Sequence, residues 1–307
     1  MYIYYIYSFK VLSEIELVGL EYNSDLKINV SDNIYIKEYE RNCFAPVLHE
    51  ENMHVRDSTE LYFEQDYYVL KYKTQFELCI FIKEKQILVK KNCDDIIQAI
   101  SILLGTGLGL YFLLHGYIPI HAGAFKYKNY ALAFAGWSGV GKSTFIRYAI
   151  EKGYNMVTED TLLIKDENVI TVYPSVGIKS KLNYQSIKYF NIAQKYIGEK
   201  IKNTQKYWIS LPEENRTFMP LELRKLYFLK PNNNITRVEI VKLNRQEKKV
   251  LLNKNIISIN NLSLSTTVQL LKRINALIDK IDSYIIMYPR ELGIFDEMLT
   301  SVLREEN

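Results

Sequence analysis

Hydrophobic and polar residues alternate along the first part of the chain. Leu26, Ile28 and Val30 are separated by polar partners, and a period of two is typical of a half-buried strand. The segment Lys83–Lys85 has the composition of a hairpin turn. Strands are predicted directly before this turn, at 76–82, and directly after it, at 86–90. A further strand is predicted earlier, at 61–72. The pattern predicts a β-rich N-terminal region over residues 1–93, without a plausible catalytic cluster.

The pattern changes at residue 94. Residues 96–114 carry no charge, Asp94 and Asp95 are suited to cap a helix start, and Gly116 is suited to end it. The run is long enough to span a bilayer. Three glycines interrupt it, however, and no basic anchors flank it. We therefore predict a helix buried between layers of a soluble protein.

Strands and helices alternate through the remainder of the chain. Residues 130–135 form a short apolar run of the kind found in a central strand that is buried on both faces. Residues 143–152 carry an apolar stripe with helical spacing, and Gly153 suits the position after the last turn. Further strands are predicted at 117–124, 155–157, 161–164, 169–173, 226–229 and 283–287, and helices at 262–281 and 294–303. The order of elements predicts an α/β catalytic domain over residues 94–307.

The loop between the central strand and its helix has the spacing of a phosphate-binding loop, with Gly136, Gly141, Lys142 and Ser143 at the required positions. Glycines let backbone N–H groups turn toward phosphate oxygens, and the helix N-terminus favours negative charge. Lys142 would reach the β- and γ-phosphates, and Ser143 would bind Mg²⁺. The residues expected to contact the nucleotide are Gly136, Trp137, Ser138, Gly139, Val140, Gly141, Lys142, Ser143 and Thr144. The alternative is a glycine turn without a ligand.

Two carboxylates and a histidine flank this loop in the sequence. Glu159 and Asp160 follow the next predicted strand, and ligands of α/β sheets bind at the C-terminal ends of strands. One carboxylate would organise Mg²⁺ while the other accepts a proton from a hydroxyl group. A solvated acidic turn is the alternative. His121 lies in an apolar run just before the central strand. A histidine in such a run is more often a hydrogen-bonded core residue than a catalytic one.

Three basic residues are further candidates for contact with phosphate. Lys179, Lys181 and Arg216 could add positive charge near a transferring phosphoryl group, where it is worth several kcal/mol. For each of them, a solvated surface position is the simpler interpretation.

The composition of the chain argues against nucleic-acid binding, metal binding and secretion. The net charge of +4 is small and dispersed, which disfavours nucleic-acid binding. Cys43, Cys79 and Cys93 lack metal-site spacing and indicate free thiols in a reducing cytosol. His49 and His54 offer too few ligands for a metal. No secretory signal pattern opens the chain, so we expect a cytoplasmic protein.

The motifs together resemble the catalytic core of the HPr kinase/phosphorylase superfamily. The sequence is most similar to HPr-kinase-like proteins encoded beside peptide-modification enzymes, such as lasso peptide kinases. The matching stretches are 113–123, 136–144 and 153–160. The resemblance implies an HPr-kinase-like fold around a phosphate-binding loop.

The resemblance also implies roles for matching residues. Glu159 would be the general base, Asp160 would bind Mg²⁺ with Ser143, and His121 would lie near the transferred phosphoryl group beside Lys142. Two departures are Glu159 in place of the family's Asp, and Thr144 in place of Glu. The family's signature for recognising HPr is absent after residue 165, so HPr is not the expected substrate.

These features predict an ATP- and Mg²⁺-dependent kinase for a Ser or Thr hydroxyl of a peptide, with a ribosomally made natural-product precursor as the expected acceptor. Two alternatives stay open: a non-catalytic ATP-binding module that presents a peptide to a partner modification enzyme, and a kinase for a free small molecule such as serine. Strand edges in the N-terminal region suit peptide docking. Homo-oligomers are compatible with all three hypotheses.

Overall fold

A computed structural model describes residues 1–21, 30, 32–39, 53–56, 59–63, 67–72, 76–90, 96–201, 204–257 and 262–306. Within these residues the chain is a mixed α/β protein with three sheets and comparatively few helices. The predicted strand around Leu26 and Ile28 and the predicted caps Asp94 and Asp95 lie outside the described residues. Cys43, Cys93 and His49 also lie outside them.

The elements up to the glycine loop are β1 (Tyr2–Ile6), β2 (Phe9–Ser13), β3 (Asp32–Tyr39), β4 (Met53–Arg56), β5 (Thr59–Phe63), β6 (Tyr67–Tyr72), β7 (Phe76–Phe81), β8 (Gln86–Lys90), α1 (Ile96–Ile102), a π-helical turn (Leu103–Gly107), α2 (Leu108–Leu114), β9 (Ile118–Ile120), β10 (Ala122–Tyr127) and β11 (Tyr130–Ala135). The elements after it are α3 (Lys142–Glu151), β12 (Met156–Thr158), β13 (Leu162–Asp166), β14 (Ile170–Tyr173), β15 (Ser180–Asn183), α4 (Tyr184–Tyr189), β16 (Ile197–Lys200), β17 (Lys206–Ile209), β18 (Leu221–Pro231), β19 (Glu239–Lys242), α5 (Arg245–Asn255), α6 (Leu264–Lys280), β20 (Asp282–Tyr288) and α7 (Phe295–Arg304). Short 3₁₀ turns at Gln194–Tyr196, Glu213–Asn215 and Leu292–Ile294 complete the list.

The described N-terminal strands form one sheet of eight, in the order β1-β2-β3-β8-β7-β6-β5-β4. The segment predicted as one strand at 61–72 is two antiparallel strands, β5 and β6. The β1–β2 hairpin turns through Tyr7 and Ser8, whose φ angles of 51° and 62° are those of a type I′ turn. The described residues of 1–90 are therefore mainly strands.

The uncharged run after residue 95 is helical and buried between layers, as predicted. It is interrupted, however, by the π-helical turn, so α1 and α2 are separate segments. Phe112 of α2 packs against Tyr7 and Phe9 of the N-terminal hairpin. One apolar cluster joins residues of the N-terminal sheet, α2 and the central sheet. No helix among the described residues has both the length and the apolar character needed to cross a membrane.

The central sheet is organised around the long strand β18. Its C-terminal part lies between β11 and β20, parallel to both, and its first residues pair with β14. The strand predicted at 117–124 is two strands that separate at His121. β9 pairs with β13, whereas β10 pairs with β11 and β12. This separation opens the sheet beside the glycine loop.

A small third sheet, in the order β15-β17-β16, lies beside the start of α3. The hydroxyl of Thr144 at the start of α3 is 3.1 Å from the hydroxyl of Ser186 in α4, which follows β15 directly. The third sheet and α4 therefore form a wall next to the glycine loop.

The N-terminal hairpin is joined to the segment before β15 by backbone hydrogen bonds. The Tyr7 N–H donates to the Pro174 carbonyl at 2.9 Å, and the Gly177 N–H donates to the Tyr5 carbonyl at 3.0 Å. A Cβ atom on Gly177 would lie 2.5 Å from the Tyr5 oxygen. The backbones approach too closely for any side chain at position 177. The domain division predicted at residue 93 stays a prediction, and these contacts cross it.

We expect Gly177→Ala to destabilise the protein by about 1–3 kcal/mol, because the added methyl group overlaps a backbone oxygen that cannot move freely. Chemical unfolding measures the change. Gly105→Ala is the matched control, since a Cβ atom there meets nothing within 4 Å. Equal stability of the two variants would contradict the predicted backbone contact.

Candidate active site

The glycine loop joins β11 to α3, and its glycines adopt positive φ angles. Gly136 and Gly141 have φ angles of 151° and 95°. At Gly136 a Cβ atom would also lie 3.1 Å from the Leu229 carbonyl oxygen. The hydroxyl of Tyr288, at the end of β20, donates to the Val140 carbonyl and holds the far side of the loop. The loop is thus fixed by the two strands β18 and β20.

Lys142 is buried beneath the loop that it belongs to. Its ammonium group donates to the carbonyls of Gly136 at 2.6 Å and Trp137 at 3.0 Å. Burial lowers the pKa of Lys142 to about 8; Lys206 adds to this effect, while Asp160 and Glu159 oppose it. The group is a poorly solvated cation whose present partners are only carbonyl dipoles.

Trp137 behaves differently from the rest of the loop. Its side chain is 64% exposed, and the ammonium group of Lys254 lies 5.8 Å from the ring centroid. The ring does not line the cleft described below. Trp137 therefore stands at the outer rim of the site.

Asp160 is held between two basic side chains. Its Oδ1 is 3.3 Å from Nδ1 of His121, and its Oδ2 is 3.1 Å from Nζ of Lys181. Burial would raise the pKa of Asp160, but Lys181 and His121 together hold that pKa well below its usual range. With 33% of its side chain exposed, Asp160 is an ionised carboxylate that reaches solvent.

Glu159 has a contrasting environment. It is 6% exposed, and its Oε2 accepts a hydrogen bond of 2.7 Å from the Lys181 N–H. Its Oε1 is buried with no hydrogen-bond partner among the described residues. Burial and the neighbouring Asp160 raise the pKa of Glu159, against the smaller opposing effects of the nearby Ser143 hydroxyl and the Lys181 N–H. Glu159 is therefore a buried carboxylate with an unused acceptor atom.

His121 lies at the point where β9 and β10 separate. Its backbone N–H donates to the carbonyl of Asn255, at the end of α5, at 2.7 Å. Its Nδ1 is also 3.1 Å from the backbone oxygen of Asp160. The histidine joins α5 to the turn at Glu159 and Asp160, and its half-buried side chain lines the cleft described below instead of the core.

Lys142, Asp160 and His121 line one cleft with about 140 Å³ of open space. Its lining combines loop residues, the acidic turn and the third sheet: His121, Ser138, Gly139, Gly141, Lys142, Ser143, Thr144, Asp160, Lys181, Leu182, Asn183, Ser186 and Lys206. Among the predicted residues, Gly136, Trp137, Val140 and Glu159 do not line it. Glu159 borders a much smaller cavity behind the cleft, together with Tyr7 and Ser175.

The structure separates the three basic candidates. Lys181 reaches the acidic turn, and its ammonium group also lies 4.9 Å from the ring centroid of Trp208. Lys179 instead donates to the Val18 carbonyl at 2.9 Å. Arg216 is buried, donates to the carbonyls of Leu211 and Val176, and pairs with Glu21. Lys179 and Arg216 therefore have structural contacts away from the cleft.

Sequence analysis missed the residues that the third sheet and α4 bring to the cleft, namely Asn183, Ser186 and Lys206. Asn183 and Lys206 are neighbours because β15 and β17 pair in antiparallel register. No local motif marks either residue. Only a correct prediction of that strand pairing would have found them.

No protein-family model and no curated protein matches the sequence. Among solved structures, the chain is similar to the HPr(Ser) kinase/phosphatase from Coxiella burnetii, with 14% sequence identity and a TM-score of 0.32. The match covers 62% of this chain and 99% of that chain. A superposition this loose establishes neither fold nor activity, so function has to be inferred from the cleft.

We expect Glu159→Gln to stabilise the folded protein at pH 7–8 by about 1–3 kcal/mol, because it removes a buried charge with an unpaired oxygen. A raised folded-state pKa means that the ionised group costs stability as pH rises through that pKa. The gain should therefore shrink as pH falls toward 4.5, the ordinary value for glutamate.

Thermal unfolding across this pH range measures the effect. Glu199→Gln is the control, because Glu199 is exposed on β16 and does not line the cleft. A loss of stability for Glu159→Gln at pH 8 would show that the carboxylate has a partner that the structure lacks.

Proposed function

We propose that this chain is an ATP-dependent kinase that transfers a phosphoryl group to a Ser or Thr hydroxyl of a peptide. The observation that carries the proposal is that Lys142, Ser143, Asp160 and His121 line a single cleft. Lys142 and Ser143 begin α3, Asp160 follows β12, and His121 lies between β9 and β10. A glycine turn without a ligand would not require these charged and polar side chains to line the same cleft.

Lys142 has the environment expected of a phosphate ligand. Its ammonium group is desolvated and bonded to the carbonyls of Gly136 and Trp137. Phosphate oxygens carry full charge and form stronger hydrogen bonds with an ammonium group than carbonyls do. A triphosphate in the loop would therefore take Lys142 as a ligand, with its β- and γ-phosphates toward the start of the loop.

The residues also fit Mg²⁺, which would neutralise charge on the β- and γ-phosphates. No group of three or more His, Cys, Asp or Glu side chains that could hold a metal occurs among the described residues. Mg²⁺ does not require one, because it commonly binds one or two carboxylates together with substrate phosphates. The Ser143 hydroxyl and the unpartnered Oε1 of Glu159 are the donors best suited to hold it.

The geometry favours an exchange of the roles that the sequence suggested for the two carboxylates. Asp160 faces the cleft and stays ionised, so it can accept the proton of an acceptor hydroxyl. Glu159 lies behind Asp160 and close to Ser143, where its charge would be compensated by a cation. His121 fixes the orientation of Asp160 through Nδ1.

The peptide acceptor rests on the sequence resemblance of residues 113–160 to kinases encoded beside peptide-modification enzymes. The test is incubation of the purified protein with ATP, Mg²⁺ and the precursor peptide encoded next to its gene, followed by mass spectrometry. We expect a gain of one phosphate on a Ser or Thr residue. Phosphorylation of free serine alone, or ATP binding without any transfer, would overturn the proposal in favour of the small-molecule kinase or the presenting module.

We expect Asp160→Asn to lower kcat by about 10²–10⁴, the range for loss of a general base, with little change in the Mg²⁺ concentration for half-maximal activity. Glu159→Gln should instead raise that Mg²⁺ concentration. Steady-state kinetics over a Mg²⁺ titration measures both values, with Glu199→Gln as the control. The opposite pattern would restore the roles suggested by the sequence.

We expect the affinity for ADP to fall as pH rises above 8, because the Lys142 ammonium group loses its proton in the free protein near that pH. Bound phosphate favours the charged form, so binding becomes coupled to proton uptake, and affinity drops by up to about tenfold per pH unit. Calorimetry between pH 7.5 and 9.5 measures this slope. Lys142→Arg should remove it, because guanidinium stays protonated throughout. A slope that persists in Lys142→Arg would show that another group is responsible.

A further inference from the structure

The basic side chains near the cleft differ in the hydrogen-bond and ion-pair partners that they already have. Lys142 donates to two loop carbonyls, and Lys181 is paired with Asp160. Lys179 and Arg216 are occupied by contacts elsewhere. Lys206 lines the cleft, yet it forms no ion pair within 4 Å among the described residues. Its side chain is therefore free to bind an anion in the cleft.

Lys206 is held on a rigid support. It is the first residue of β17, the middle strand of the third sheet, and it pairs with Asn183 across β15. Trp208, two residues further along β17, is fully buried and carries the Lys181 ammonium group over its ring. The third sheet thus presents Lys206 from the wall that faces the glycine loop and its Lys142.

The charge of Lys206 already acts on the reacting groups. It lowers the pKa of Lys142, helps to hold down the pKa of Asp160, and partly opposes the rise in the pKa of Glu159. Lys142 and Asp160 line the same cleft as Lys206. Lys206 therefore approaches the expected position of the γ-phosphate from the side of the third sheet.

We propose that Lys206 is a catalytic residue that binds the transferring phosphoryl group from the wall opposite the loop. This proposal rests on the proposed kinase function. In the transfer, the bond between the γ-phosphorus and the β–γ bridging oxygen breaks, and ADP leaves with that electron pair. A bond forms between the γ-phosphorus and the acceptor oxygen, whose proton passes to Asp160. Charge grows on the bridging oxygen and is shared among the γ-oxygens in the transition state, where a fixed cation stabilises it more than it stabilises bound ATP.

The test compares binding of Mg²⁺–ADP with binding of Mg²⁺–ADP plus tetrafluoroaluminate, an analogue of the transferring phosphoryl group, by calorimetry. For Lys206→Gln we expect unchanged ADP affinity within about threefold, but a loss of about 10²–10³ in both kcat and the enhancement of affinity by tetrafluoroaluminate. Lys206→Arg should retain most of both, since guanidinium also donates to phosphate. Lys200→Gln, on the exposed edge strand of the same sheet, is the matched control and should behave as wild type.

The outcomes separate this proposal from the kinase function itself. If tetrafluoroaluminate does not strengthen ADP binding to the wild-type protein, the proposed kinase function fails. If the enhancement is present and Lys206→Gln retains it, only the role of Lys206 is overturned. Equal losses for ADP with and without the analogue would also overturn it, because Lys206 would then bind the nucleotide rather than the moving phosphoryl group. Should Lys206→Gln fail to fold, Lys206→Met removes the same charge and should show the same losses, with Lys206→Arg as the variant that keeps the charge.

Discussion

The ion pair between Asp160 and Lys181 is the interaction on which the site depends. It joins the acidic turn after β12 to strand β15, and so connects the central sheet to the small third sheet. The Lys181 N–H reinforces this link through Oε2 of Glu159. A partly buried ion pair repays its desolvation only when further hydrogen bonds satisfy both partners. Here His121 supplies the second contact to Asp160, and the Trp208 ring supports Lys181. The cleft is the space that remains between the two sheets once this pair has formed.

The same cluster shifts the pKa values of the adjacent carboxylates Glu159 and Asp160 in opposite directions. Both are withdrawn from water, and each disfavours ionisation of the other. The Lys181 ammonium group and His121 compensate Asp160, whereas Lys181 offers Glu159 only its backbone N–H. The pKa of Asp160 therefore falls while that of Glu159 rises. Groups whose environments separate their pKa values in this way can take different chemical roles at one pH. Burial and asymmetric pairing, rather than residue type, therefore separate the pKa values of the two carboxylates.

Local patterns predicted the parts of the site that local chemistry determines. The loop from Gly136 to Ser143 was predictable because glycine placement and the following amphipathic helix are written in consecutive residues. The buried helix was predicted as well, although nothing in its uncharged sequence marks the π-helical turn at Leu103–Gly107.

What could not be predicted depends on pairing between distant strands. The apolar residues 117–124 read as one strand, but β9 and β10 take different partners and diverge at His121. Lys206 reaches the cleft only because β17 pairs with β15. Arg216 lies away from the cleft because its guanidinium group donates to Leu211, Val176 and Glu21. For Lys206 and Arg216, the sequence shows that the residue is basic. It does not show the strand pairing and contacts that determine whether the side chain reaches the cleft.

The N-terminal strands contribute to the site through the same wall. Gly19 packs so closely against Trp208 that a Cβ atom there would lie 2.7 Å from the indole ring, and the Gly19 carbonyl accepts a hydrogen bond from the Lys179 N–H. Because Trp208 in turn supports Lys181, residues near the start of the chain help to position the cation that holds Asp160. The hydroxyl of Tyr7 adds a second link, donating to the Thr161 carbonyl at 3.1 Å just beyond the acidic turn. The first hairpin and the segment around Gly19 therefore support both the wall of the cleft and the turn that carries Asp160.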